Sequence, residues 1–351
     1  MASSRPVLAV VGATGVVGQV LRSMLPTRAS LWSEVRLIAS DRSAGQSADL
    51  FGDGGVILPL ARENFVGVDV AVFAVPAPVA AEWVPLAATT GARVIDNSGA
   101  SSALPGVPLV APDINPDALS GAPIVAGAGA STLMMVGALR TLHENWRLTE
   151  VIATTLQAVS DAGVGGVHRL YDEATQLAGN RAVGQRPGDV RRYLSDLEGE
   201  SPFPAPVAFN VIPWVGDEGD GRWSGSELRV RDEVRTLLEL PELRMTTTCV
   251  QVPVVTTHSV SMHLTFERRI HREDAVRALT EASNGVVLLD DPLHDEWPTP
   301  ADVVGADPVF VGRVRQPADF PHSLELFLCC DNLRRGSALT LLHLAELAAQ
   351  A

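Results

Sequence analysis

The chain has 351 residues, 46% hydrophobic and 19% charged, with a formal net charge of −14. That length and apolar content can fill two cores rather than one. The acidic balance repels phosphate backbones and argues against nucleic acid as a partner.

The segment from Met1 to Pro6 is too short for a secretory leader, and the apolar run behind it leads into a glycine motif. Val7 to Val11 reads as a buried parallel strand and residues 16 to 25 as the helix after it. Glu34 to Ala39, Val68 to Val75 and Ala92 to Ile95 are further strand candidates. The apolar stretch Val68 to Ala88 is interrupted by Asp69, Pro76, Pro78, Glu82 and Pro85, which a membrane helix would not carry. Strands alternating with helical stretches imply a doubly wound α/β sheet.

Beyond about residue 130 the pattern changes. Leu133 to Trp146 reads as a helix, Val151 to Val159 as a strand, and Val167 to Ala178 as a helix. The stretch from Asn180 to Pro206 is rich in Gly, Pro and charge and reads as a surface excursion. Glu227 to Leu238 is a helix with charges spaced for i,i+4 pairs. Thr246 to Val255, Ser259 to Phe266, Val309 to Val314 and Leu324 to Cys330 alternate as strands of a mostly antiparallel sheet, and Leu333 to Gln350 reads as an amphipathic helix. The three cysteines, Cys249, Cys329 and Cys330, are too few for a disulfide framework, which implies a cytoplasmic protein.

The motif AVVGATGVVG sets Gly12, Gly15 and Gly18 between a strand and a helix. Glycines allow a sharp turn and close approach to a pyrophosphate, and the helix start offers unpaired N–H groups to its charge. Thr14, Val16 and Val17 complete that loop. The second strand ends in ASDRSAG. Asp41 could accept from the ribose hydroxyls of NAD, but Ser40, Arg42 and Ser43 make the better cradle for a ribose 2′-phosphate, which favours NADP.

With these motifs stand VIDNSGAS, VPLVAPDIN, ASTLMMVGALRTL, QAVSDAG, FNVIP, SELRVRDEVRTLL, TCVQVPVVTTHS, DPVFVGRVR and DNLRRGSAL, in that order along nearly the whole chain. This series resembles the aspartate-semialdehyde dehydrogenase family. The resemblance implies a Rossmann domain, residues 1–132 completed by a C-terminal helix at 333–351, and an α+β substrate and dimerisation domain at 133–332. It implies a homodimer, NADP as cofactor and a small-molecule substrate. The family reaction passes through a cysteine thioester, with a histidine as acid/base, two arginines on the substrate's anionic groups and a lysine near phosphate.

Several positions depart from that pattern. The nucleophile's motif reads GAGAST, so the cysteine position is Ala130 and the residue before it Gly129. Ser131, next in line, lacks a base to activate it. Cys249, Cys329 and Cys330 read as small buried hydrophobes. The two arginine positions are Ser102 and Gln251, the latter seven residues before the histidine. A glutamine supplies only neutral hydrogen bonds where a guanidinium would pair with a carboxylate. The matching positions are His258 for the acid/base, Gln157 and Glu227 for substrate, and Arg229 in place of the lysine. Asn97, Gly163 and Asn332 match residues near the nicotinamide, and Asp161 replaces a smaller residue.

His258 and His263, five apart on one strand, face opposite sides, and no HExxH or Cys/His cluster is present, so no metal is expected. Two readings follow. One is a non-catalytic paralogue that keeps the fold, the dimer surface and the dinucleotide loop and acts by binding a nucleotide, a metabolite or a partner protein. The other is an NADP-dependent oxidoreductase for another small carbonyl or imine, with His258 as proton relay.

Overall fold

A computed structural model describes residues 5–52, 54–282 and 284–350. Met1 to Ser4, part of the segment read as too short for a leader, lie outside the described residues. The chain divides into two compact units. One comprises Met1–Val136, Thr236–Leu240 and Leu333–Ala351, the other Gly137–Arg235 and Pro241–Asn332.

The first unit opens with β1 (Val7–Val11) and α1 (Val16–Met24), then β2 (Glu34–Ala39) and the short β3 (Leu58–Pro59). The long apolar stretch resolves into β4 (Val70–Phe73) and α2 (Ala77–Ala88). Pro78 falls in the first turn of α2, where its missing N–H costs nothing, and Ala80, Val84 and Ala87 recur at helical spacing on the buried face. β5 (Arg93–Asp96), β6 (Leu109–Val110) and β7 (Ile124–Gly127) follow. All pairings are parallel, in the order β3-β2-β1-β4-β5-β7-β6. Alternate residues of β1 serve opposite faces: Leu8 and Val10 join one core, Ala9 and Val11 the other. Both faces are therefore covered, which explains why β1 and β4 read as unbroken apolar runs.

Along the chain α3 (Ala130–Trp146) comes next. It starts three residues earlier than the apolar periodicity predicts, because the Gly129 carbonyl already accepts from the Leu133 N–H.

The second unit contains β8 (Leu148–Gln157), α4 (Gly163–Ala178), the single turn α5 (Asp189–Tyr193), α6 (Gly225–Leu237) as far as Arg235, β9 (Arg244–Gln251) and β10 (His258–Phe266). α7 (Arg272–Glu281), β11 (Val286–Leu288), α8 (Pro300–Val303), β12 (Val309–Arg315) and β13 (Ser323–Cys330) complete it. Its mixed sheet runs β11-β12-β13-β10-β8-β9. The three central pairings are antiparallel and the outer two parallel. β8 ends at Gln157 rather than Val159, since Val159–Ala162 forms a 3-10 turn, and β9 ends at Gln251 rather than Val255.

The excursion from Asn180 to Pro206 is not wholly superficial. Leu194 and Phe203 are buried in one cluster with Leu170, Leu177 and Val207. Glu173, fully buried on α4, pairs with Arg169 at 2.7 Å and accepts from the N–H groups of Val207 and Ala208, pinning the segment's far end. Only the tertiary structure supplies these partners.

The chain's last helix belongs to the first unit. Residues 334–338 form a π-turn, and α9 (Leu339–Gln350) follows. Its Leu339, Thr340, Leu341, Leu342, Leu344, Ala345 and Ala348 are all buried, so α9 is a core helix rather than the one-sided amphipath its sequence suggests.

Candidate functional site

The glycine loop occupies the point where the strand order reverses, between the ends of β1, β2 and β4. Gly12 and Ala13 donate to the Ile38 carbonyl, and Gly12 has φ +91°. A Cβ on Gly12 would stand 2.2 Å from the Ala74 carbonyl oxygen, and one on Gly18 2.1 Å from that of Gly12. A Cβ on Gly15 would meet nothing nearer than 3.4 Å, so the surface of this loop is open at Gly15. Gly15 caps α1 without any side-chain hydrogen bond, which leaves the first-turn N–H groups for an anion.

The loop also reaches the turn after β2: the hydroxyls of Thr14 and Ser43 lie 3.2 Å apart. Ser43 is buried, whereas Ser40, Asp41 and Arg42 are exposed around it. Val16 and Val17 are half-buried at the start of α1. Asn97 donates to the Ser337 hydroxyl at 3.4 Å, while its Oδ1 is buried with no hydrogen-bond partner. A buried acceptor left in that state is costly unless a ligand N–H completes it. The open Gly15, the uncapped helix start and the orphaned Asn97 oxygen fit a nicotinamide dinucleotide.

Asp96 is fully buried and accepts from the N–H groups of Ser98 and Ser101, which shapes the turn carrying Ser102. Ser102 is exposed and spends its hydroxyl on the Gly99 carbonyl. Ala130 is the first residue of α3 and half-buried; Ser131 and Thr132 behind it are buried.

In the second unit the remaining positions converge. β8, β9 and β10 are neighbours, so Gln157, Cys249, Gln251 and His258 fall at one end of the sheet. The Ala158 N–H donates to His258 Nδ1 at 3.1 Å, so Nδ1 bears no proton and the neutral ring carries it on Nε2. That nitrogen faces Asp161 Oδ1 at 3.6 Å. Partial withdrawal from water raises the pKa of Asp161, but His258 opposite it and the charge of Arg229 outweigh this and hold the carboxyl below its ordinary range. The sequence assigned no role to Asp161; the signal for it was a carboxylate where the resemblance implies a smaller side chain.

The other side chains are held by local partners. Gln157 donates to the Thr155 hydroxyl, and Gln251 to the Gln157 carbonyl at 2.6 Å. Glu227 accepts from the N–H groups of Ser224 and Cys249, joining the start of α6 to β9. Arg229 Nε donates to Glu233 at 2.6 Å, while its charge still acts on Asp161. Asn332 donates to the Ser160 hydroxyl and accepts from the Thr257 N–H, tying both ends of its amide within this unit. Thr257 itself has φ +87°, a strained position for a β-branched residue, and sequence reasoning gave no hint of it. Gly163, at φ +71°, starts α4 directly after the Asp161 turn. Cys249 is fully buried, and burial pushes its thiol up to about 11, so it is no thiolate near neutral pH. Cys329 is likewise pushed up to about 11. Among the described residues no group of three or more His, Cys, Asp or Glu could hold a metal ion.

Residues 7–122 match the semialdehyde dehydrogenase NAD binding domain, and residues 139–335 the semialdehyde dehydrogenase dimerisation domain. The chain belongs to the aspartate-semialdehyde dehydrogenase family. It is 35% identical over 345 residues to the aspartate-semialdehyde dehydrogenase of Streptomyces akiyoshiensis, covering 97% of each chain. With the Bacillus subtilis (strain 168) enzyme it shares 33% identity, covering 97% of this chain and 96% of that one. Among solved structures it is similar to aspartate semialdehyde dehydrogenase II of Vibrio cholerae complexed with ASA, with a TM-score of 0.87, 28% identity and 99% of each chain covered. A probable aspartate-semialdehyde dehydrogenase of Pseudomonas aeruginosa gives a TM-score of 0.86 at 29% identity, with 98% of each chain covered. Within this family the glycine loop and the turn after β2 lie in the segment matched as the NAD binding domain, and the Asp161–His258 pair in the segment matched as the dimerisation domain.

Proposed function

We propose that this member of the family is a cytoplasmic, homodimeric, non-catalytic paralogue that binds NADP and a small metabolite but forms no acyl-enzyme. Residues 1–132 with 333–351 take the dinucleotide, and 133–332 take the small ligand and the partner subunit. The observation that carries the reading is Ala130 at the first position of α3, where a nucleophile would need sulfur and finds a methyl group. Cys249 cannot substitute, since its thiol is buried and protonated. His258 is also poorly arranged as a base. Its Nδ1 accepts the Ala158 N–H, so Nε2 carries the proton and has no lone pair to take another. Neither Ser102 nor Gln251 supplies a cation for a dicarboxylate-like substrate.

NADP fits the first unit through the loop at Gly12, Thr14, Gly15, Val16, Val17 and Gly18, with Ser40, Arg42 and Ser43 toward the 2′-phosphate and Asn97 toward the carboxamide. When bound, its reduced form would supply a hydride. The homodimer is supported by the dimerisation-domain match and by one sheet face of the second unit. On it Ile152, 45% exposed, adjoins Thr246 and His263, and Ser261 adjoins Thr154 and Phe327.

A second reading rests on the Asp161–His258 pair, in which a partly exposed carboxylate backed by an N–H could move a proton during hydride transfer to a carbonyl or imine. One assay separates the two. Purified protein is mixed with NADPH and either aspartyl phosphate, aspartate semialdehyde or a panel of small carbonyl compounds. Binding of NADPH without turnover supports the first reading; steady loss of nicotinamide absorbance on another carbonyl supports the second. Turnover of aspartyl phosphate overturns both. Ala130→Cys alone is expected to leave that activity absent.

A further inference from the structure

A cavity of about 280 Å³ opens in the second unit beside Asp161. Its walls include Asp161, Asp217, Trp214, Phe203, Ser226 and Gln251, and no Lys, Arg or His is among the residues lining it. We propose that this cavity is a site for a small organic cation, an aliphatic amine whose ammonium group sits against Asp161 with its alkyl part along Trp214 and Phe203.

Four observations support that choice of charge. Asp161 is anchored rather than free to swing: it lies on the 3-10 turn after β8, its carboxylate faces the His258 N–H, and its side chain remains 44% exposed. A carboxylate fixed from one side and open on the other is arranged to meet a second donor. Second, Asp217 adds another negative charge to the same wall. An anionic ligand would face two like charges with no Lys, Arg or His on the cavity wall to offset them. Third, Arg229, whose charge acts on Asp161, is not among the residues lining the cavity, and its Nε donates to the buried Glu233 at 2.6 Å. Fourth, the Trp214 indole is fixed by its N–H to the Gly216 carbonyl at 2.8 Å, which holds the ring in place as an apolar and cation-attracting wall. The neutral Gln251 amide at the same wall accepts or donates without adding charge.

This deepens the binding reading above and fails independently of it. The reading concerns acyl chemistry and is decided by NADPH turnover; the present inference concerns ligand charge and is decided by calorimetry without nucleotide. The probes are 1,4-diaminobutane and succinate, two four-carbon chains of opposite charge, titrated into the full-length protein. The diamine is expected to bind with a Kd of about 1 mM or tighter, and succinate at least tenfold more weakly. Asp161→Asn, close in shape and on a partly exposed turn, is expected to weaken the diamine about tenfold, and Asp217→Asn by a smaller factor. Both variants should keep the parent's circular dichroism and melting curve shape, which separates lost binding from lost folding. Tighter binding of succinate, diamine binding that neither substitution changes, or no diamine binding at about 10 mM would overturn the proposal.

Discussion

His258 and Asp161 form a one-way pair: the ring is fixed by the Ala158 N–H at Nδ1, and its remaining proton points at a carboxylate 3.6 Å away. A histidine held this way donates at Nε2 and cannot accept there without losing the Nδ1 bond.

The pair has a pH signature. The pKa of Asp161 is lowered in the folded protein, so the group adds stability above the ordinary aspartate range, and that contribution fades as pH falls through the folded value. The melting temperature of the parent should exceed that of Asp161→Asn near neutral pH, and the two should converge in acid. The side chain is 44% exposed, so the difference belongs to the scale of screened pairs, below about 1 kcal/mol. A gap that widens toward acid would contradict the assignment.

The glycine loop separates fold from binding. Gly12→Ala combines a positive φ with a 2.2 Å clash against backbone and should cost about 1–3 kcal/mol in thermal or urea unfolding. Gly15→Ala meets nothing closer than 3.4 Å and should leave stability within about 0.5 kcal/mol while weakening NADPH binding by fluorescence titration. Unchanged NADPH affinity in Gly15→Ala would remove the loop from the nucleotide site.

Arg42 tests which nucleotide the turn after β2 prefers. It is exposed next to the Ser43 hydroxyl that reaches Thr14. Arg42→Ala should weaken NADPH by about 10- to 100-fold, the range of a charge-assisted contact, and leave NADH unchanged. Equal loss for both nucleotides would place Arg42 away from the 2′-phosphate.

Glu173 carries a structural prediction. Its carboxylate is fully buried against Arg169 and two backbone N–H groups. Glu173→Ala leaves a cation and two donors without their acceptor and should cost about 3–5 kcal/mol in urea unfolding. The loss should be accompanied by faster proteolysis between residues 180 and 206. Glu173→Gln keeps an acceptor and should fall between parent and alanine variant. Proteolysis unchanged in both would dissociate that segment from α4.

The sequence alone determined the features that arise from local chemistry. β1 and β2 were legible to the residue, β1 because a parallel strand covered on both faces is written as a continuous apolar run. Gly12 and Gly18 were legible as a tight strand-to-helix turn because only glycine tolerates such close backbone contact, and the alanine at position 130 was legible by identity alone. Tertiary structure decided whatever depends on partners distant in sequence. The two-residue strands β3 and β6 exist only through pairing, and α9 became a core helix only because neighbours enclose it. Glu173 found its two N–H donors 34 and 35 residues away, and His258 took its tautomer from an amide 100 residues earlier. Hydrogen bonding and burial act through space, so the tautomer of His258 and the lowered pKa of Asp161 were set by folding rather than by the order of the letters.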